Sequence, residues 1–333
     1  MSLDVASALS RRRARASLVH RSSAMSIELG GVDVLPAGAF DVDGVARVVP
    51  TRYGPITVTT QGDPSKPALV TFHDVGLNHR TCFQPLFVCA GRQSDLVKRF
   101  CVYHIDYPGC QDGAVEFRED DVPRTLDALA EQVEDVVKHF GLRSVTCMGV
   151  GAGATVMALY AGRAGSRCEA GIFVSPSVSS ARTMESALGY AFQWNIRRHG
   201  WTPWTLKHVM KRMFSYRGLG GMREAFESDL AKTARREISE LNPRAVLAFY
   251  ESSLARLNND AIYESLDIDA LILAGRHSPW YKDSIVMNSL MNTAKTAWVE
   301  MEDAGTVVTV EDPSAMLSPL NLFIQRLASE GLA

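Results

Sequence analysis

Apolar positions along the chain fall into short continuous runs separated by stretches of helical spacing, and that alternation predicts most of the elements. Ala68–Phe72, Phe100–Asp106, the run opening at Val145, Ala170–Ser175, Leu271–Ala274 and Ala297–Met301 are apolar runs of the buried-strand type. Ahead of them, Val45–Val49 and Ile56–Thr60 flank a Gly54-Pro55 turn and predict a hairpin. A helix is expected over about residues 84–98. Leu126, Leu129, Ala130, Val133, Val136, Val137 and Phe140 keep helical spacing, with Asp120 and Asp121 to cap the start, Pro123 in the first turn and Gly141 to end it. A last helix is expected over 313–329. Strands alternating with helices argue for an α/β protein whose mostly parallel sheet is covered on both faces.

Residues 179–262 break this rhythm. They are helical in pattern and carry no strand signal, so they read as a helical cap inserted into a core formed by residues 27–178 and 263–330. Within the cap no acid occurs between Ser186 and Arg223, a span that holds Arg197, Arg198, Lys207, Lys211 and Arg212 together with Trp194, Trp201 and Trp204. Tryptophans at helical spacing read first as core. The basic run reads either as a solvated face or as a surface for an acidic partner or an anionic membrane.

Composition narrows the class. The chain has 333 residues, a length that suits one large α/β domain with an insertion, and its net charge of −2 lends nothing to nucleic-acid binding. No apolar run approaches the roughly 20 residues of a membrane-spanning helix. Six cysteines lie mostly within apolar runs without a Cys-x-x-Cys pair, a pattern of buried thiols rather than a disulfide frame. Residues 1–26 stand apart, with Arg11, Arg12, Arg13, Arg15 and Arg21 against Asp4. They read as a disordered basic tail, with an organelle transit peptide as the other reading. Ser17 follows an Arg-Ala-Arg-Ala spacing that basophilic kinases accept, and Met25 offers an alternative start.

The most informative stretch runs from Val145 to Tyr160, where a β-branched run turns through Gly149-Val150-Gly151-Ala152-Gly153 into good helix formers. This strand–turn–helix resembles the nucleophile elbow of an α/β-hydrolase, Gly-x-Ser-x-Gly. Glycine occupies the nucleophile's position, Gly151, and has no atom that can attack a carbonyl.

Other segments agree in order and spacing: His73-Asp74-Val75-Gly76-Leu77-Asn78-His79-Arg80-Thr81-Cys82, His104-Ile105-Asp106-Tyr107-Pro108-Gly109, Met148–Ala154, Trp201-Thr202-Pro203-Trp204 and Ala304–Thr309. Through them the chain, over roughly residues 27–327, resembles the NDRG (N-myc downstream regulated) family of α/β-hydrolase-fold proteins, nearer its plant branch. The resemblance implies a protein without hydrolase activity, a cytoplasmic regulator in signalling, stress response or trafficking, and association with the βγ dimer of heterotrimeric G proteins.

The residues can be asked about catalysis independently. A serine hydrolase needs a nucleophile, a base and an acid to orient the base. The acid's turn after the Leu271–Ala274 strand is Gly275-Arg276-His277-Ser278, with no carboxylate before Asp283. Counting back from Pro313 to the base's turn gives Gly305-Thr306. Gly151, Ser278 and Thr306 therefore stand at vestigial triad positions. Where hydrolases place His-Gly to form an oxyanion hole, this chain has His73-Asp74, and a carboxylate there opposes an oxyanion by of order 4 kcal/mol at 4 Å and an effective dielectric of 20.

Cys110, Ser175 and His277 lie at carboxyl ends of predicted strands, where a relocated nucleophile or base would sit, but each reads first as structural. His73 and His104 form at most a loose metal pair without a third ligand, so neither metal nor cofactor is expected. The sequence favours a non-catalytic protein that works through protein–protein interaction. A hydrolase with a relocated nucleophile and a small-molecule module using the vestigial pocket are the alternatives.

Overall fold

The computed structural model describes residues 44–91, 94–114, 117, 122–163, 166–216 and 228–332. The basic tail, with Ser17 and Met25, lies outside the described residues, as do Asp120 and Asp121.

Strands β1 (Val45–Thr51) and β2 (Gly54–Gln61) form the expected hairpin, but the turn is Arg52-Tyr53. Gly54, at φ +94°, already pairs with Thr51, and Pro50 faces Pro55, so the Gly-Pro pair belongs to the ladder. Six further strands follow: β3 (Ala68–Phe72), β4 (Cys101–Asp106), β5 (Val145–Val150), β6 (Cys168–Val174), β7 (Asp269–Gly275) and β8 (Thr296–Met301). They join in the order β1-β2-β4-β3-β5-β6-β7-β8, parallel from β4 to β8. Every residue of β3, β4 and β5 is buried. Successive side chains of a strand point to opposite faces, so burial of all of them means both faces are covered.

The single helix expected over 84–98 is two. Asn78 caps α1 (His79–Ala90) by accepting from the Thr81 N–H, and Thr81 returns the bond in a capping box. Gly91, at φ +66°, stops it, and Ser94 then caps α2 (Asp95–Arg99). Helix α3 (Leu126–His139) is capped by Thr125 and followed by Gly141 at φ +64°. After β5 comes α4 (Ala152–Ala161).

Between β6 and β7 the described residues form five helices and no strand: α5 (Thr183–His199), α6 (Pro203–Met213), α7 (Asp229–Glu240), α8 (Pro243–Leu254) and α9 (Asp260–Glu264). Helices α10 (Tyr281–Leu290), α11 (Val308–Glu311) and α12 (Pro313–Ser329) complete the chain. The cap seats α8 on the carboxyl ends of the sheet. Phe249 stacks on Tyr107 with ring centroids 4.6 Å apart and meets Phe72 and His73 edge-on. At the join, Asp283 accepts the Ser179 N–H at 3.1 Å; within the cap, Arg256 grips both oxygens of Glu185 at 2.8 Å.

β3 pairs with β4 on one side and β5 on the other, so the winding reverses at the β3–β5 boundary. Ligand crevices in open α/β sheets form outside the carboxyl ends of the strands at such a point. Asp74 follows β3 there, and Gly151 follows β5.

Candidate functional site: the sealed elbow

Gly151 links β5 to α4 at φ +57° and ψ −119°, a conformation that strains any residue with a side chain. Close approach fixes its neighbour as well. A Cβ on Gly153 would lie 2.3 Å from the Phe72 carbonyl oxygen and 2.4 Å from that of His73, both backbone atoms that cannot swing away. The helix start is thus pressed against the end of β3.

Asp74, 1% exposed, fills the space above the elbow. Its Oδ1 accepts the Ala152 N–H at 2.9 Å. That amide follows the elbow residue, the position whose N–H helps form the oxyanion hole of an α/β-hydrolase. A Cβ built on Gly151 would stand 2.3 Å from Asp74 Cγ and 2.5 Å from each carboxylate oxygen. The carboxylate does more than the repulsion expected from sequence. The Asp74 carboxyl group itself occupies the space beside the Ala152 N–H, and it excludes any side chain at residue 151. Burial raises the Asp74 pKa above the ordinary carboxylate value, against the pull of the Arg212 charge and the Ala152 and Val75 amides. His73 holds the loop from behind. Its Nδ1–H donates to the Asp74 carbonyl at 2.8 Å and its Nε2 accepts from the Tyr107 N–H at 2.9 Å, which fixes one neutral tautomer. Burial pushes its pKa down.

Ser278 and Thr306, singled out in the sequence together with Gly151, meet each other. Ser278 and Thr306 place their hydroxyl oxygens 2.9 Å apart, and both residues are buried. Thr306 donates to the Arg212 carbonyl at 2.6 Å, and Ser278 accepts from the Trp280 N–H at 3.2 Å. The donors therefore run in one direction, from Trp280 N–H through Ser278 and Thr306 to the cap backbone. Thr306's proton is committed, and no imidazole stands at its position.

Sequence reasoning missed what closes the mouth of this site. The last turn of α6 lies over it. A Cβ on Gly76 would fall 2.6 Å from Val209 Cγ1, and Val307 N–H donates to the Met213 carbonyl at 3.0 Å. Glu311 then pins both sides, accepting from Gly305 N–H at 2.7 Å and from the Ser215 N–H and hydroxyl. Nothing in the spacing of the chain signals the contacts of α6 and Ser215 with Gly76, Val307 and Glu311, which lie far apart along it.

Cys110 is buried, and burial pushes its thiol pKa up, away from thiolate. Ser175 has φ +45°, the one positive value at a non-glycine among the described residues, and its hydroxyl accepts the Gly275 N–H at 3.1 Å. His277 is exposed. Of the basic cap residues, Arg197, Arg198, Lys207 and Lys211 are exposed. Arg212 departs from that surface and faces inward, its guanidinium 4.5 Å from the Tyr250 ring and 4.7 Å from that of Trp280. One residue beyond Lys211 turns it about 100° around the helix. The expectation that the cap tryptophans are core also fails in part: Trp194 is 62% exposed and Trp204 42%. Two open clefts, of about 220 and 410 Å³, are lined without any of Asp74, Gly151, Ser278 or Thr306.

His73 and His104 have protein partners at every ring nitrogen. His104 Nδ1 meets the Thr71 hydroxyl at 2.6 Å and Nε2 the Gln61 carbonyl oxygen at 3.2 Å. Among the described residues no group of three or more side chains is arranged to hold a metal ion. Burial, with nearby His79 adding to it, lowers the His104 pKa from 6.5 to about 3. Below pH 6.5 the unfolded chain takes up a proton on this imidazole that the folded chain refuses. Its contribution to stability is therefore full above pH 6.5 and is lost as pH falls toward 3. Urea unfolding compared between about pH 7.5 and pH 5 should show His104→Gln with a pH-dependent loss smaller than the parent's by about 2 kcal/mol. An identical loss in both proteins would mean that His104 is not held neutral.

Comparison with known proteins agrees with this architecture. The family model described as the Ndr family matches residues 46–328. Protein NDL1 of Arabidopsis thaliana is 33% identical over 300 residues, covering 90% of this chain and 86% of that protein. Protein NDRG2 of Xenopus laevis is 29% identical over 305 residues, covering 87% and 79%. Among solved structures, a thermophilic esterase from Thermogutta terrifontis superposes with a TM-score of 0.66 at 18% identity, over 85% of this chain and 99% of that one. A hydrolase from Pseudomonas aeruginosa gives 0.69 at 16% identity, over 84% and 98%. At those identities the likeness is one of fold, and the fold is that of the α/β-hydrolases.

Proposed function

The chain belongs to the Ndr family, and from that premise we propose that it is a regulatory protein which keeps the hydrolase fold without hydrolase activity and acts by binding other proteins. One observation carries the non-catalytic half of this reading. Asp74 occupies both the oxyanion hole and the volume a nucleophile at residue 151 would need. Ser278 and Thr306 support it, because two hydroxyls joined in one donor chain supply no base for a nucleophile.

The binding half rests on family membership. Signalling, stress response or trafficking in the cytoplasm, with a G-protein βγ dimer as partner, is the role that the resemblance to the plant branch suggests. No helix among the described residues is long and apolar enough to cross a membrane, which is compatible with that role. The exposed Arg197, Arg198, Lys207 and Lys211 give an acidic partner or an anionic membrane surface a place to dock. Immobilised protein should bind purified βγ dimer saturably; no binding would remove that partner from the reading.

The chemistry is tested directly. Short acyl esters should show no turnover above background, and a fluorophosphonate should label no residue. Turnover that survives both Cys110→Ala and Ser175→Ala would contradict the placement of the site. Turnover abolished by one of them would establish a relocated nucleophile, and with it an enzyme.

A further inference from the structure

Helix α5 is held from one side only. Gly189, Phe192 and Ile196 are its buried positions, and Phe192 stacks on His208 and meets Tyr250, with ring centroids 4.8 and 4.5 Å apart. With about 100° between successive residues, Met184, Leu188, Tyr190 and Trp194 fall on the opposite side. They are 71%, 48%, 69% and 62% exposed. Single exposed apolar side chains need no explanation, but several along one helix face form a patch, and such patches mark places of contact. Packing within the chain does not call for them, since the helix is already seated through its other face.

Two features bear on what fits there. The rows Tyr190-Trp194-Arg198 and Gln193-Arg197 run side by side along the helix and line the open cleft of about 410 Å³. A groove between such rows is what a second helix fills with a row of its own side chains. A bilayer surface presents no ridge of that kind. The other feature is charge. Among the described residues no carboxylate lines the cleft. Arg197 turns to Glu251, whereas Arg198 makes no ion pair among the described residues and lies 6.0 Å from the centroid of the Trp194 ring. The helix dipole favours cations in this last turn. It does not account for the aromatic row beside them, nor for the absence of any acid between Ser186 and Arg223.

We propose that the outward face of α5 docks an acidic amphipathic helix of a partner protein, an inference that rests on the reading of this chain as a binder of proteins. Apolar side chains of the partner helix, at i, i+3, i+4 and i+7, would rest on Leu188, Tyr190 and Trp194. A carboxylate beside them would pair with Arg198 in the two-bond geometry a guanidinium favours.

A phage-displayed library of helical peptides of about 16 residues, roughly four turns, panned on the intact chain, tests this. Enriched peptides should carry aspartate or glutamate beside apolar residues at helical spacing. A fluorescein-labelled copy of the most enriched peptide should bind saturably, and more weakly as salt rises. Trp194→Ala and Arg198→Glu should each weaken it about tenfold or more. Trp194→Phe should recover most of the binding, and Arg47→Gln, on the exposed strand β1, should leave it unchanged. Trp194 and Arg198 are exposed, so the variants should keep the parent's far-UV spectrum. The proposal is overturned if no peptide is enriched, if the enriched peptides lack acids, or if binding survives both Trp194→Ala and Arg198→Glu. Sedimentation with vesicles of phosphatidylcholine and phosphatidylserine is the second arm. Vesicle binding that those two substitutions abolish, without peptide enrichment, would overturn it in favour of a membrane site. Ester turnover by a chain that still selects acidic peptides would overturn the non-catalytic reading and leave this one standing.

Discussion

Gly151→Ser is expected to destabilise the fold by about 2–6 kcal/mol and to acquire no fluorophosphonate label. Two costs combine. A side chain at φ +57° carries strain of roughly 1–3 kcal/mol. Its Cβ also enters space held by the Asp74 carboxylate, 2.3 Å from Cγ, and overpacking in a close-packed interior costs roughly another 1–3 kcal/mol. The new hydroxyl gains nothing in return. Thr306 donates its proton to the Arg212 carbonyl and Ser278 hydrogen-bonds to Thr306, so neither acts as a base. The measurement is a urea midpoint together with a labelling assay. A variant at least as stable as the parent that also labels would show an activated base beside residue 151.

The second large effect is expected inside the cap, where Arg256 ties the end of α8 to α5. Arg256 is 6% exposed, and it donates to both oxygens of Glu185, to the Ser179 carbonyl at 2.7 Å and to the Ser253 carbonyl at 2.9 Å. Burial would raise the Glu185 pKa, yet the bonds and charge of Arg256 outweigh it and hold it below the ordinary value. Arg256→Ala leaves that carboxylate and two carbonyls without their partner, a loss of about 3–5 kcal/mol for a broken buried pair. Hydrogen exchange should quicken in α5 and around Ser179 before it does in β3–β5, because Arg256 ties the former and touches none of the latter. Arg256→Lys should recover little, since an ammonium cannot bond both oxygens in the fork geometry. Unchanged exchange in α5 would show that the pair does not hold α5 in place.

The sheet was legible because its central strands are buried residue by residue, and continuous apolar runs report that directly. The limits of α1 were not, although their signals are local. Asn78 at the start and Gly91 at the end are a cap and a stop that an averaged helical pattern passes over. The hairpin turn was misplaced because Gly54-Pro55 reads as a turn in isolation, whereas pairing with Pro50 and Thr51 keeps both in the ladder. Counting back from Pro313 singles out Thr306, but its bond to Ser278, 28 residues away, is not readable from spacing. What Asp74 does at the elbow is not readable either, because its partner amide lies 78 residues along the chain. The inward turn of Arg212 was missed for a related reason: a run of basic residues in sequence is not one face of a helix.

The central claim is that Asp74 and Gly151 are complementary, the carboxylate occupying the hole and the glycine leaving room for it. A double-mutant cycle in urea with Gly151→Ala, Asp74→Gly and the pair tests it most directly. Removing the carboxylate gives the new methyl group space. The double variant is therefore expected to be more stable than the two single losses imply, by about 1–3 kcal/mol. Losses that add to within about 0.5 kcal/mol would contradict it.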